Sequence, residues 1–189
     1  MSATSRVRYG STPGNLNQTV ANSAAVTNHE VTITGLAPSS RYYYAVGSNQ
    51  GDVGSGNDYY FETSPVEGTA SATRIWVIGD SGTANSNAAA VYSAYQNFTG
   101  SQYTHLWLML GDNAYNDGTD NEYQDAVFDM YPQLLKQTPL WSTLGNHDGY
   151  TADSASQTGP YYDIFSFPRN AEVGGVASGT EAYYSFNYG

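Results

Sequence analysis

The sequence predicts a chain of two parts, a β-sandwich followed by the amino-terminal β-α-β-α-β half of an α/β sandwich. Three observations predict it. In residues 1–65, apolar and aromatic residues recur with period 2 between Gly and Pro punctuation, the spacing of half-buried strands. Residues 66–73, inside the run SPVEGTASAT, are rich in Pro, Gly, Ser and Thr and read as a linker. Over residues 74–189, short apolar runs alternate with helical periodicity, the pattern of a parallel sheet covered on both faces.

Composition bounds the function. A length of 189 residues allows one or two domains with a real core. Net charge is −11, from 17 Asp and Glu against 6 Lys and Arg, which argues against a nucleic-acid backbone as partner. No run approaches the roughly 18–20 apolar residues of a membrane span, and no basic segment followed by an apolar one opens the chain. Cysteine is absent, which excludes disulfides and thiolate metal sites. Gly, Ser, Thr and Asn carry the polar burden, since charged residues are only 12%. Together with 18 tyrosines this points to an ordered β-rich surface and an extracellular or periplasmic location.

In the first part, Val31 and Ile33 alternate in HEVTITGL, and Tyr42, Tyr44 and Val46 alternate in RYYYAVGS, with Gly35 and Pro38 at the turn between. DYYFET (58–63) is a third strand after a Gly-rich loop. The spacing Leu36-x-Pro38-x-x-x-Tyr42 is that of a tyrosine corner, in which the hydroxyl bonds back to upstream backbone. The stretch resembles a fibronectin type III module with roughly its first two strands missing, since such sandwiches have about seven.

In the second part, residues 74–78 form the first strand. Residues 87–98 form a helix with apolar residues at 91, 94, 95 and 98 and Gly100 as its stop. The second strand spans 105–110. Thr119-x-x-Glu122 is a capping box, after which Tyr123, Ala126, Val127 and Met130 share a face until Pro132. The third strand spans 139–144. The tail after Gly149 is loop-rich, with a possible further strand from Ala182 to Asn187.

Each strand of the second part breaks at a glycine and delivers Asp or Asn to its carboxyl end: IWVIGDSG, LMLGDNAY and LWSTLGNHD. Ligands of parallel α/β sheets sit beyond these ends. Singly, Gly-Asp is a turn, a histidine a satisfied structural group and a tyrosine core; the ordered recurrence points to chemistry. Asp80, Asp112, Tyr115 and Asn146 offer only oxygen donors. Acidic groups so converged repel one another and raise each other's pKa unless a cation lies between them. A bridging carboxylate can hold two hard ions, which lower the pKa of a bound water and clamp the oxygens of an in-line displacement. His147 reaches the same pocket as a general acid or a donor to a phosphoryl oxygen.

GDSG (79–82), GDNAY (111–115) and GNHD (145–148) resemble the first three of five signature blocks of the purple acid phosphatases, a branch of the calcineurin-like metallophosphoesterases. General members carry D-x-H in the first block, where Gly82 stands here; the purple branch carries the tyrosine of the second block, here Tyr115. The resemblance implies hydrolysis of phosphate monoesters at a binuclear centre of Fe(III) with Fe(II), Zn(II) or Mn(II). Asp80 and Tyr115 would bind the ferric ion, Asp112 bridge the two metals, Asn146 bind the second, and His147 serve as the catalytic residue. The remaining blocks, V-x-x-H and G-H-x-H, find no counterpart in His29 or His105, so the expectation is a fragment that is inactive in isolation. Two other readings stand beside it. Gly79-Asp80-Ser81 matches an SGNH-type esterase with Ser81 as nucleophile, although no histidine here follows an aspartate by three positions. A non-catalytic, fibronectin-like interaction module is the third.

Overall fold

A computed structural model describes residues 2–189 as two compact units, one running to Ser71 together with Tyr188–Gly189, the other Ala72–Asn187. The first unit is antiparallel: β1 (Ala3–Gly10), β2 (Gln18–Val26), β3 (Arg41–Ser48), β4 (Gly51–Gly54) and β5 (Tyr60–Glu62). Their order is β2-β1-β3-β4, with β5 on the other half of β3. Cross-strand aromatic pairs hold it, including Tyr42 with Phe61 at 6.0 Å and Tyr43 with Tyr60 at 5.8 Å between ring centroids. Arg6 and Arg8 on β1 both reach Asp52 of β4. The tyrosine corner is present, with the Ala37 N–H donating to the Tyr42 hydroxyl at 3.0 Å.

Two expectations for this unit fail. Val31 and Ile33 do alternate in burial with exposed neighbours, but they lie outside the strands, because among the described residues no second segment pairs with them. The strands β1 and β2 precede them instead. β1 shows a readable alternation in Arg6-Val7-Arg8-Tyr9, whereas β2, QTVANSAAV, is a mostly exposed edge in which small apolar and polar residues follow no period of 2. The described strands make one sheet rather than the two facing sheets of a fibronectin type III sandwich.

In the second unit, β6 (Ile75–Ile78), β7 (Leu106–Met109) and β8 (Leu140–Ser142) form a parallel sheet in that order. Helix α1 (Ser86–Thr99) is capped by Asn85, whose side chain accepts from the N–H groups of Asn87 and Ala88, and it stops at Gly100. Helix α2 (Asp120–Tyr123) runs into a π-helical turn, Gln124–Phe128; α3 (Pro132–Leu135) starts at the proline. A 3-10 turn at Asp148–Tyr150 and α4 (Pro160–Ile164) follow. One sheet face, carrying Trp76, Trp107 and Met109, is buried against Tyr92, Tyr95, Val127 and Tyr131.

The buried face of α1 keeps Tyr95 of the expected set but not Val91, Ala94 or Phe98. Val91 and Phe98 are exposed, and the helix turns Tyr92 and Tyr95 inward, where they stack on Trp76 at 5.9 and 4.2 Å. Flat tyrosine rings against an indole gain more contact than a valine would, so aromatic stacking sets the helix rotation. Nor is the sheet covered on both faces: Ile75 and Val77 are about half exposed, at 47% and 51%. Over β8 that second face is covered by the tail, where Phe186 stacks on Trp141 at 4.1 Å and the Tyr184 hydroxyl donates to the Ser142 carbonyl. Residues 182–187 form no strand; they dock through these rings rather than through a ladder.

Candidate metal centre

Asp80 and Asp112 follow the ends of β6 and β7, and both lie in the left-handed region at φ 53°. Such backbone is uncommon outside glycine, is tolerated best by Asp and Asn, and gathers at functional sites. The two turns are sewn together by backbone bonds. Asp80 N–H donates to the Gly111 carbonyl, Gly82 N–H to the Asp112 carbonyl and Tyr115 N–H to the Gly82 carbonyl, at 3.1, 3.1 and 2.9 Å. A Cβ on Gly82 would stand 2.4 Å from Ala114 N and 2.5 Å from the Asn113 carbonyl carbon. The histidine that other metallophosphoesterases carry here is sterically excluded, and the segment filling that space is the one that brings in Tyr115.

The Tyr115 hydroxyl sits between the two carboxylates, 2.8 Å from Asp80 Oδ1 and 3.0 Å from Asp112 Oδ2. Burial and both carboxylates push the phenol's pKa up in the protein alone. Partial burial works to raise the Asp112 carboxyl too, but the His147 N–H on Oδ1 at 3.0 Å and the Tyr115 hydroxyl outweigh it and hold it below the usual range. Among the described residues, no three His, Asp or Glu side chains group as a metal site by themselves. The donor set closes only when the phenol is counted. Oxygens spaced at about 2.9 Å suit adjacent corners of an octahedron with bonds of about 2.0–2.1 Å, so these three atoms fit a small hard cation.

The third block is placed from behind by Asp148. This fully buried carboxylate accepts from Asn113 N–H, from the Asn113 side-chain amide at 3.0 Å, from Gly145 N–H at 2.8 Å and from the Tyr123 hydroxyl at 2.6 Å. It thus fastens the second block to the third. Burial, then the Asp148 hydrogen bond, raises the Tyr123 pKa, so that hydroxyl remains a donor. Gly145 is needed where it stands, because a Cβ would lie 2.0 Å from Asp112 N and 2.2 Å from Asp112 Oδ1.

Asp80, Asp112 and Tyr115 therefore come together, with His147 against them at 4.4 Å between its ring centroid and that of Tyr115. Asn146 is exposed, flanked by the pinned backbone of Gly145 and His147, and makes no hydrogen bond to the other three. His105 is structural: its Nδ1 accepts from Arg74 N–H at 3.0 Å, at the opposite end of the strand. His29 pairs with Ser5 in the first unit. Ser81 is buried, and His147 is committed to Asn116, so the pairing an esterase nucleophile needs is not made. The role of Asp148 carries no signal in the sequence: it stands six residues beyond the end of β8, and its four donors are two backbone N–H groups, an amide and a hydroxyl brought from other elements.

Residues 73–189 match the family model for calcineurin-like phosphoesterases, and residues 1–63 match that for the purple acid phosphatase N-terminal domain. Purple acid phosphatase 15 of Arabidopsis thaliana is 28% identical, over 85% of this chain and 33% of its own length. Probable inactive purple acid phosphatase 27 of the same plant is 24% identical, over 85% of this chain and 28% of its own. Among solved structures, purple acid phosphatase PPD1 from yellow lupin (Lupinus luteus) seeds shares the fold, with a TM-score of 0.56 at 18% identity, covering 98% of this chain and 36% of that one. The chain spans about a third of the length of these relatives. On the match across its second unit, and on the N-terminal domain that precedes it, the chain belongs to the calcineurin-like phosphoesterase family, in the purple acid phosphatase branch.

Proposed function

We propose that this chain supplies the first half of a metal centre that hydrolyses phosphate monoesters. The observation that carries the reading is the Tyr115 hydroxyl held within 3.0 Å of two carboxylates from neighbouring strand ends. In this reading Asp80, Tyr115 and Asp112 would hold a ferric ion, and Asp112 and Asn146 a divalent Fe, Zn or Mn. When bound, the metals supply Lewis acidity, drawing charge from phosphoryl oxygens and activating water.

The chain's own residues do the rest. The backbone stitches between the first two blocks hold Asp80 and Asp112 in place before any ligand arrives, so their mutual repulsion is borne by the fold. Asp148 keeps the third block, and so Asn146 and His147, against the second. His147 presents its ring beside Tyr115, where the Nε2–H of its imidazolium form can donate to a phosphoryl oxygen or pass its proton to the leaving alcohol, leaving the neutral ring protonated on Nδ1 alone. Neither His29, paired with Ser5, nor His105, whose Nδ1 accepts from Arg74 N–H, is placed to serve as a nitrogen ligand, so the isolated chain binds metal without turning over substrate.

The test is ferric titration of the purified chain followed by visible absorption. A tyrosinate-to-iron charge-transfer band that saturates at one ion per chain, and is lost in Tyr115→Phe, is expected. Iron binding with an unchanged band in Tyr115→Phe would remove the phenol from the centre and overturn the assignment.

A further inference from the structure

The loop between Tyr115 and α2 is an exposed turn with no apolar anchor: Asn116 and Asp117 are exposed, and Gly118 has φ 69°. It is fixed by polar contacts from two sides. The Glu122 carboxylate takes the N–H groups of Asn116, Asp117 (3.2 Å) and Thr119 (2.9 Å), as well as the Thr119 hydroxyl (2.9 Å). From the other side, the Thr151 hydroxyl reaches the carbonyls of Asp117 and Gly118 at 2.9 and 2.6 Å. A capping box needs only the Thr119 pair. The two further N–H groups, from Asn116 and Asp117, go beyond capping a helix that is only four residues long. With its N–H groups turned to Glu122, this loop sets its Asn116 carbonyl 2.6 Å from His147 Nδ1. A carbonyl oxygen carries no hydrogen, so Nδ1 must be the donor. The ring is further confined by Tyr115 at 4.4 Å and Tyr150 at 5.7 Å between centroids.

We propose that Glu122 is a positioning residue for His147: by holding the 116–119 loop it aims the Asn116 carbonyl at Nδ1, fixes the neutral ring in the Nδ1–H tautomer and leaves Nε2 as the working nitrogen. The catalytic meaning of that nitrogen rests on the phosphoesterase reading, but the tautomer itself does not. Carboxylate-to-loop-to-carbonyl is an indirect version of the acid that orients a catalytic histidine, and here the acid lies seven residues past Tyr115 and never touches the ring.

Histidine tautomers are read by long-range 1H–15N correlation on the full chain, without metal, at alkaline pH, with the 15N shifts themselves identifying each neutral ring. His105 is an internal standard from the same unit: its Nδ1 accepts from Arg74 N–H, so it must show the Nε2–H pattern throughout. Wild-type His147 is expected to show the Nδ1–H pattern. In Glu122→Ala the Nδ1–H to Nε2–H ratio should fall about 2- to 10-fold, the equilibrium equivalent of one net hydrogen bond. Glu122→Gln keeps a capping acceptor but turns an amide toward part of the loop, and should give an intermediate ratio. If the alanine variant loses the His105 pattern and so has unfolded, the glutamine variant decides. An Nε2–H pattern for wild-type His147, or an unchanged ratio in the folded variant, overturns the proposal. Failure of the phosphoesterase reading would show separately, as absent ferric binding, with the tautomer result intact.

Discussion

Replacing Asp148 by asparagine keeps the volume and removes one acceptor and the charge. The amide has two possible orientations. If its nitrogen replaces Oδ2, it faces the donors Gly145 N–H and Asn113 Nδ2, and both bonds are lost. If it replaces Oδ1, it faces the Tyr123 hydroxyl, which can rotate to accept, so the second orientation is cheaper. Even there, the surviving bonds fall from charge-assisted ones worth about 1.5–3 kcal/mol to neutral ones worth about 0.5–1.5 kcal/mol. With Gly145 N–H, Asn113 Nδ2 and Tyr123 surviving, the loss comes to about 2–4 kcal/mol after allowing for the cheaper burial of an amide. Asp148→Ala leaves those donors without partners at about 1–3 kcal/mol each and should cost more, enough to unfold a unit of ordinary stability. All three tryptophans, Trp76, Trp107 and Trp141, belong to this unit, so urea unfolding followed by tryptophan fluorescence reports on it alone. A cost below about 1 kcal/mol for the asparagine variant, or an alanine variant more stable than it, would refute the view that Asp148 fastens the two blocks together.

Gly145→Ala should destabilise the same unit by about 3 kcal/mol, because its Cβ meets the Asp112 backbone and carboxylate rather than a side chain that can move; the same urea experiment measures it, with ferric titration reporting the displaced Asp112. In the first unit, burial above all, with Tyr59 and Asp58 nearby, pushes the Tyr44 hydroxyl up to about 12. Its folded form holds the proton more tightly than the unfolded chain does. That stabilisation is complete below the ordinary value of about 10 and is lost as pH rises from there to 12. Alkaline unfolding should therefore be steeper for the native chain than for Tyr44→Phe, and phenolate absorbance should show one late-titrating group missing in the variant.

The site was legible to the extent that its geometry follows from topology. Parallel neighbours β6 and β7 bring their carboxyl ends side by side, so Gly-Asp repeated at both ends meant convergence, and Tyr115 came with the second. The capping box at Thr119 was legible for the same local reason. What could not be read was contact with backbone beyond that local motif: the Asn116 and Asp117 N–H groups on Glu122, and the Asn113 and Gly145 N–H groups that Asp148 takes beside the Asn113 amide and the Tyr123 hydroxyl, are groups nearly every residue type offers. The rotation of α1 was hidden because the apolar face drawn through 91, 94, 95 and 98 passes over Tyr92, whose ring packs on Trp76 beside that of Tyr95. Val31 and Ile33 carried a strand's periodicity without a strand's partner, and periodicity says nothing about partners.

A phenol carries one proton, and Tyr115 stands between two carboxylates that both want it. The protein's own hydrogen bonds therefore leave one carboxylate oxygen short, and a cation taking the place of that proton would answer all three oxygens together. What keeps the three in register is not their chemistry but the stitching around them: the exchanges among Asp80, Gly82, Asp112 and Tyr115, the glycines at 82 and 145 where no side chain fits, and the buried Asp148 behind. A centre so framed should keep its shape when a ligand is changed and lose it when the frame is. Tyr115→Phe should then abolish the ferric band with little change in urea stability, and Asp148→Asn should do the reverse in the first instance, weakening the unit before it weakens the band.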